Sequence, residues 1–408
     1  MTTPEPQHIL SGYKVLDFTQ VLAGPTVTRL MAEMGAEIIK VEMAPNGEIS
    51  RALPFLKDGR SGYFIQQNRG KKSLCVDVRH QKGQEILRNL IKQVDVVVEN
   101  FSPGVISRLG FGYDVVKELN PRAIMCSISA LGQTGPLANV PGYDYIGQAY
   151  AGVTYMIGDP NGPPSFPMLG LGDVSTGVHA YAAIASALLY RERTGKGQYL
   201  DITLLDSYFH CHELNVQLYS GTHGAVQPKR SGSHHYAVSP AGLFKGREQY
   251  LFILCLEHQW QVLCRAMGKP ELVDDQRFYT NNKRVENQPE MVKIIEEWIV
   301  SQKSDDEAVR ILQEGHVPVA PVLSIAEAVN HPHLRERHTV RRITDRVLGE
   351  LDIPGMPLRF SEFPEELPLQ APLLGEHNAE ILRNYLSYTP EQIQQLESEG
   401  VLKRDPEK

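Results

Sequence analysis

Between Lys14 and Ala130 the chain alternates two textures. Short runs dominated by consecutive apolar residues, KVLDF (Lys14–Phe18), EIIKVE (Glu37–Glu42), DVVVENF (Asp95–Phe101) and AIMCSISA (Ala123–Ala130), are separated by stretches such as GPTVTRLMAEMGA, GQEILRNLIKQ and YDVVKELN. In those stretches apolar positions recur at three and four residues, which predicts amphipathic helices, while the short apolar runs predict strands buried on both faces. Successive strand-helix-strand units predict a parallel sheet with helices on both sides, an α/β architecture.

The texture changes around Gly221–Gly242, where GTHGAVQPKRSGSHHYAVSPAG reads as a linker. LFKG and YLFILCL (Tyr250–Leu256) then predict strands, followed by helices to about Gly315. After HVPVAPV (His316–Val322) come a strand-like ITDRVLGELDI, a proline-rich crossing and a polar helix at the carboxyl end. The expected organisation is a Rossmann-like large domain over residues 1–222, completed by 335–408, and a smaller α+β domain over 223–334.

Ligands of such sheets sit beyond the carboxyl ends of the strands, which directs attention to four turns: TQVLAGP, MAPNGEISR, ENFSPG and LGQTGP. None has the G-x-G-x-x-G spacing of a dinucleotide site, and no Walker-type loop follows a strand, so nicotinamide and ATP chemistry are disfavoured. The formal net charge of −7 arises from mixed signs without a basic block, which argues against a nucleic-acid partner. No apolar run approaches the roughly 20 residues of a membrane helix, and MTTPEPQHIL lacks a basic-then-apolar signal, so a cytoplasmic protein is expected. Five widely spaced cysteines read as reduced core residues; Cys211, within HCHE, invites a metal reading, but histidines two apart do not share a helix face.

The stretch LGLGDVSTGVHAY (Leu169–Tyr181) sets Asp173 before a long helical run. It reads as an N-cap that helix amides hold ionised, and an ionised carboxylate can also serve as a nucleophile toward a thioester, with Gly170 and Gly172 admitting a large substrate. Tyr143 and Asp144 in PGYDYIGQA add a phenol and a second carboxylate, or else a turn and a core aromatic. Arg69, Lys71 and Lys72 in NRGKKSLCVDV read as phosphate contacts or as a solvated turn; His234 and His235 sit in a loop that either closes on a ligand or acts as a linker.

VLDFTQVLAGP, GAEIIKVE, ENFSPGVISRLGFGYD, GQTGP, LGDVSTGVHA, RTGKGQYLDITLLDS and APLLGEH follow one another in the order seen in the family III CoA-transferases, and the chain resembles that family, the formyl-CoA and carnitine CoA-transferase group, over essentially its full length. The resemblance implies transfer of coenzyme A between an acyl-CoA and a carboxylic acid, with CoA thioesters as substrates and no tightly bound cofactor or metal. Asp173 would attack the acyl-CoA to give an aspartyl anhydride and then an aspartyl-CoA thioester, with Tyr143 and Asp144 as further catalytic residues. CoA contacts are implied at Val21, Ala23, Val76, Arg79, Asn100, Phe101 and Arg108, the last pairing with a phosphate. An interlocked homodimer is implied as well.

Three departures from the formyl-CoA enzyme stand out: Leu22 replaces a glutamine, Met43 replaces an arginine, and SGSHHYAVSP replaces a glycine-rich loop, which points to a different, larger or dicarboxylic acid. The α-methylacyl-CoA racemases share the fold but carry a histidine base where this chain has Tyr143 in Gly142-Tyr143-Asp144, which favours transfer over racemisation.

Overall fold

The computed structural model describes residues 8–405. The first seven residues of MTTPEPQHIL, read above for a targeting signal, and the last three of the expected 335–408 segment lie outside the described residues. Two compact units are present: residues up to Val153 with Met168–Glu213 and everything from Pro332, and a second unit of Thr154–Pro167 with Leu214–His331. Residues 154–167 and 214–222, expected in the large domain, therefore group with the second unit, and 332–334, expected in the small domain, with the first.

In the first unit six parallel strands, β1 (Lys14–Asp17), β2 (Glu37–Met43), β3 (Lys71–Val76), β4 (Val96–Glu99), β5 (Ile124–Ser129) and β6 (Tyr199–Thr203), pair in the order β3-β2-β1-β4-β5-β6. The four strands expected between Lys14 and Ala130 are found, each trimmed at its ends or extended by one residue, whereas ITDRVLGELDI, expected as one strand, is split by a turn into an antiparallel pair, Val340–Asp345 with Gly349–Pro354. Alternate side chains divide between two cores. Leu16, Ile39, Val97 and Met125 face one core, and Val15, Ile38, Val98 and Cys126 face the other. Both faces are covered, which is why VVVE and IMCSIS carry so few charges.

Helices of the first unit include α1 (Ala23–Glu33), α2 (Gln81–Ile91), α3 (Asp144–Tyr150), α4 (Leu171–Thr194) and α5 (Leu204–Phe209), of which all but α2 border the site. The crossing of α1 and α4 is close because α4 has glycine at its contact. A Cβ on Gly177 would stand 2.8 Å from the Ala23 carbonyl oxygen. Gly195, at φ 74°, ends α4 in the left-handed conformation that glycine adopts without steric cost.

The second unit has a three-stranded antiparallel sheet, Val319–Pro321, Tyr250–Leu254 and Ala241–Lys245. Tyr250–Leu254 alternates, with Leu251 and Ile253 buried and its other residues exposed, because only one face meets a core containing Phe244, Trp260, Phe278 and Trp298.

The basic stretch Asn68–Val78 is corrected by the fold. It is not a ligand-facing turn: it contains edge strand β3, and its cations are spent on ion pairs. Lys71 is fully buried 3.0 Å from Asp17, Arg69 is buried against Glu33, and Lys72 pairs with Glu37 and Glu380. Of the five cysteines four are buried, whereas Cys211 is exposed. Among the described residues no group of three or more metal-ligating side chains occurs, and no helix is long and apolar enough to cross a membrane.

Candidate active site

β1 and β4 are neighbours in the sheet, but the chain leaves their carboxyl ends toward opposite faces: α1 joins one core and Ile106, after β4, joins the other. A crevice opens at such a reversal of strand order. Here it is a cleft of about 440 Å³ lined by Gln20–Ala23 after β1, Asn100–Pro103 after β4, the end of β5, Val140–Tyr143 and Asp173.

The turn after β1 is held from below. Asp17 Oδ1 accepts the Thr19 amide at 2.8 Å and the Thr19 hydroxyl at 2.6 Å, and Lys40 Nζ donates to the Thr19 carbonyl at 2.9 Å. Burial opposes the charge on Asp17, yet Lys71, Lys40 and these donors hold its carboxyl down to about 2. Glu99, at the end of β4, behaves oppositely: burial pushes its carboxyl up to about 7, although it accepts the Phe101 amide at 2.8 Å and thereby folds the ENFSPG loop back on itself.

Asp173 stands in the first turn of α4, not at its cap, which corrects the N-cap reading. Gly170 is the capping position and offers no side chain. The free amides of α4 are satisfied from elsewhere: Asp144 Oδ2 accepts the Asp173 amide at 3.1 Å, and the Tyr208 hydroxyl accepts the Gly172 amide at 2.9 Å. Tyr208 in turn donates to Asp144 Oδ1 and receives the Gln148 amide at 3.2 Å. No hydrogen bond among the described residues ends on the side-chain oxygens of Asp173. Burial first, and the Asp144 carboxylate second, push its carboxyl up to about 7. The expectation that helix amides hold it ionised is therefore also corrected, since those amides serve Asp144 and Tyr208.

The remaining expected residues divide. Val21, Ala23, Asn100, Phe101 and Tyr143 line the cleft with Asp173, and Tyr143 is 82% exposed at its wall. Asp144 does not line it. Only 6% exposed and fully engaged, it positions α4. Val76 lies outside the cleft lining, fully buried in the core, and the tail residue Leu402 bridges to it. Arg79 and Arg108 are exposed and outside the cleft lining, although the Arg108 guanidinium lies over Gly104 of the ENFSPG loop, where a Cβ would stand 2.9 Å from Nη1. In the second unit the His235 ring accepts the Ala237 and Val238 amides at 3.0 and 3.1 Å, and burial holds His234 below the usual imidazole range.

Tyr208, Gln148 and Tyr63 were not anticipated. Tyr63 is in range of Asp173, because burial and then the Asp173 charge push its phenol up to about 12. The Tyr208–Asp144 contact spans 64 residues, and no local spacing announces it.

Residues 10–378 match the profile of CoA-transferase family III. The succinyl-CoA:glutarate CoA-transferase of Homo sapiens is 34% identical over 396 residues, covering 96% of this chain and 90% of the relative. The formyl-CoA:oxalate CoA-transferase of Streptomyces coelicolor is 34% identical over 409 residues, covering 96% of this chain and 99% of the relative. Among solved structures, a CAIB/BAIF family protein from Brucella suis superposes with a TM-score of 0.81 at 33% identity, covering 93% of this chain and 100% of that one.

Proposed function

Because the chain belongs to CoA-transferase family III, we propose that it moves coenzyme A from an acyl-CoA to a free carboxylic acid by covalent catalysis at Asp173. The observation that carries this reading is the Asp173 carboxylate itself: it stands in the wall of the switch-point cleft, accepts no hydrogen bond from the described residues, and has its carboxyl raised to about 7. An oxygen relieved of donors and partly desolvated is a stronger nucleophile than a solvated one, and at neutral pH about half of it is ionised.

Asp173 attacks the thioester carbonyl carbon; the C–S bond breaks and CoA leaves as thiolate, giving a mixed anhydride. The thiolate then attacks the aspartyl carbonyl, which releases the first acid and leaves an aspartyl-CoA thioester. The acceptor carboxylate attacks that thioester, a second anhydride forms, and the returning thiolate takes the acceptor acyl group and regenerates Asp173. Val21, Ala23 and Phe101 flank the pantetheine arm, Tyr143 closes the wall beside the acyl group, and the exposed Arg108 and Arg79, outside the cleft lining, are the residues assigned to the phosphates. Asp144 and Tyr208 keep α4 in place through these steps.

Borohydride or hydroxylamine added during turnover with an acyl-CoA tests the covalent step. The expected result is a modified Asp173 peptide by mass spectrometry; exchange without any label on that peptide refutes it.

The same reading includes a homodimer. α4 is apolar on two sides: Ala180, Ile184 and Leu188 are buried, while Leu171, Val174, Val178 and Leu189 are each more than 40% exposed. A helix with apolar residues on two opposite sides needs cover on both, and a second copy of the chain supplies the missing cover. Sedimentation at micromolar concentration is expected to return a dimer, and a monomer at that concentration overturns this part.

A further inference from the structure

The turn that forms one lip of the cleft carries a conformation its sequence does not favour. Val21 has φ 65°, in the left-handed region where a β-branched side chain is a rare outlier. Glycine or asparagine would be the ordinary residue there, and Leu22, the next position, precedes α1 as its N-cap and supplies no side-chain cap. Something outside the turn must hold it.

The bonds to Thr19 from Asp17 and Lys40 stop one residue short of the outlier's neighbour. Gln20, directly before Val21, is gripped from the other side of the crevice. Asn100 Oδ1 accepts the Gln20 amide at 2.7 Å, and Asn100 Nδ2 donates to the Gln20 carbonyl at 2.8 Å. One side chain thus takes both main-chain groups of a residue 80 positions away. A backbone N–H and a backbone carbonyl admit only one orientation of the amide, so the pairing is unambiguous. Asn100 belongs to the opposite lip, where the buried Glu99 fixes the next residue, Phe101.

We propose that Asn100 is a positioning residue that ties the two lips of the cleft together and holds Val21 in its left-handed conformation, so that the turn meets coenzyme A already shaped. This assignment rests on the cleft being the CoA site. It gives Asn100 a different task from a direct ligand contact, because both polar atoms of its side chain are engaged by Gln20. A preformed turn removes an ordering cost from binding, whereas the chemical step at Asp173, on another element, draws nothing from the tie.

A double-mutant cycle separates this role from a general structural one. Asn100→Ala is expected to weaken CoA binding by tenfold or more in calorimetry and to raise KM for the acyl-CoA far more than it lowers kcat. In a Val21→Gly background, where glycine keeps a positive φ without strain, the same Asn100→Ala change is expected to weaken binding by threefold or less. Equal losses in the two backgrounds, or unaltered binding in Asn100→Ala, overturn the proposal. Should Asn100→Ala fail to fold, Asn100→Asp retains the acceptor for the Gln20 amide and is expected to give a smaller loss in the same cycle; additivity there overturns it equally. A parent protein that binds no CoA instead defeats the functional reading. The tie is then judged by exchange of the Gln20 amide, expected to be protected in the parent and exposed in the variant, with an unprotected parent amide overturning it.

Discussion

Asp173→Asn is expected to abolish CoA exchange and, above neutral pH, to leave a more stable protein. The loss of activity follows from removing the proposed nucleophile while keeping its shape, and a drop of ~10⁴-fold or more is expected. The stability gain follows from linkage. The folded carboxyl titrates at about 7 and the ordinary value is 3.8, so the folded state retains a proton that the unfolded state releases in between. Stability contributed by this group therefore falls as pH rises from the unfolded toward the folded value. Asparagine never ionises and escapes that loss, by about 4 kcal/mol at most at pH 8 and by less at pH 5. Thermal melts of both proteins at the two pH values check the sign. The parent kcat/KM is expected to climb through about pH 7 as Asp173 ionises. A variant that stays active, or melts lower at pH 8, contradicts the account.

A residue that costs stability where it works is what local sequence rules do not foresee. The strands were legible because burial on both faces leaves runs such as VVVE and IMCSIS, and the turns following them were legible as walls of the cleft because parallel sheets open crevices at those ends. Asp173 was legible as a residue but not in its surroundings. Its position at the start of a helical run suggested a cap, whereas the cap bonds come from Asp144, 29 residues earlier, and Tyr208, 35 residues later. The basic stretch misled for the same reason: the partner that buries Lys71 is Asp17, 54 positions away, and spacing along the chain carries no trace of it. The ENFSPG turn was picked out by its place after a strand and Asn100 by the family resemblance, but the bonds of Asn100 to Gln20 depend on β1 and β4 being neighbours, which the order of strands in the chain leaves open. In each case periodicity reports which face of an element is buried, while polar partnerships across the sheet arise only from its topology.

Gly172→Ala concentrates this dependence in one methyl group. A Cβ at residue 172 would stand 2.1 Å from Tyr208 Cε2 and 2.7 Å from Asp144 Oδ1, far inside contact distance. The Tyr208 ring is 5% exposed and has nowhere to retreat, so the ring, α4 or both must shift. Either shift separates the Tyr208 hydroxyl from the Gly172 amide and from Asp144, leaving a buried carboxylate short of a donor. The expected cost is about 2–4 kcal/mol of stability. Because Asp173 is the next residue, its carboxylate leaves the line of attack, and kcat is expected to fall ~10²-fold with a smaller change in KM. Gly221→Ala is the matched control, since a Cβ there meets nothing within 4 Å, and it is expected to leave both kcat and the melting temperature unchanged. Equal behaviour of the two alanine variants would mean that the Tyr208–Asp144 pair does not hold the nucleophile in place.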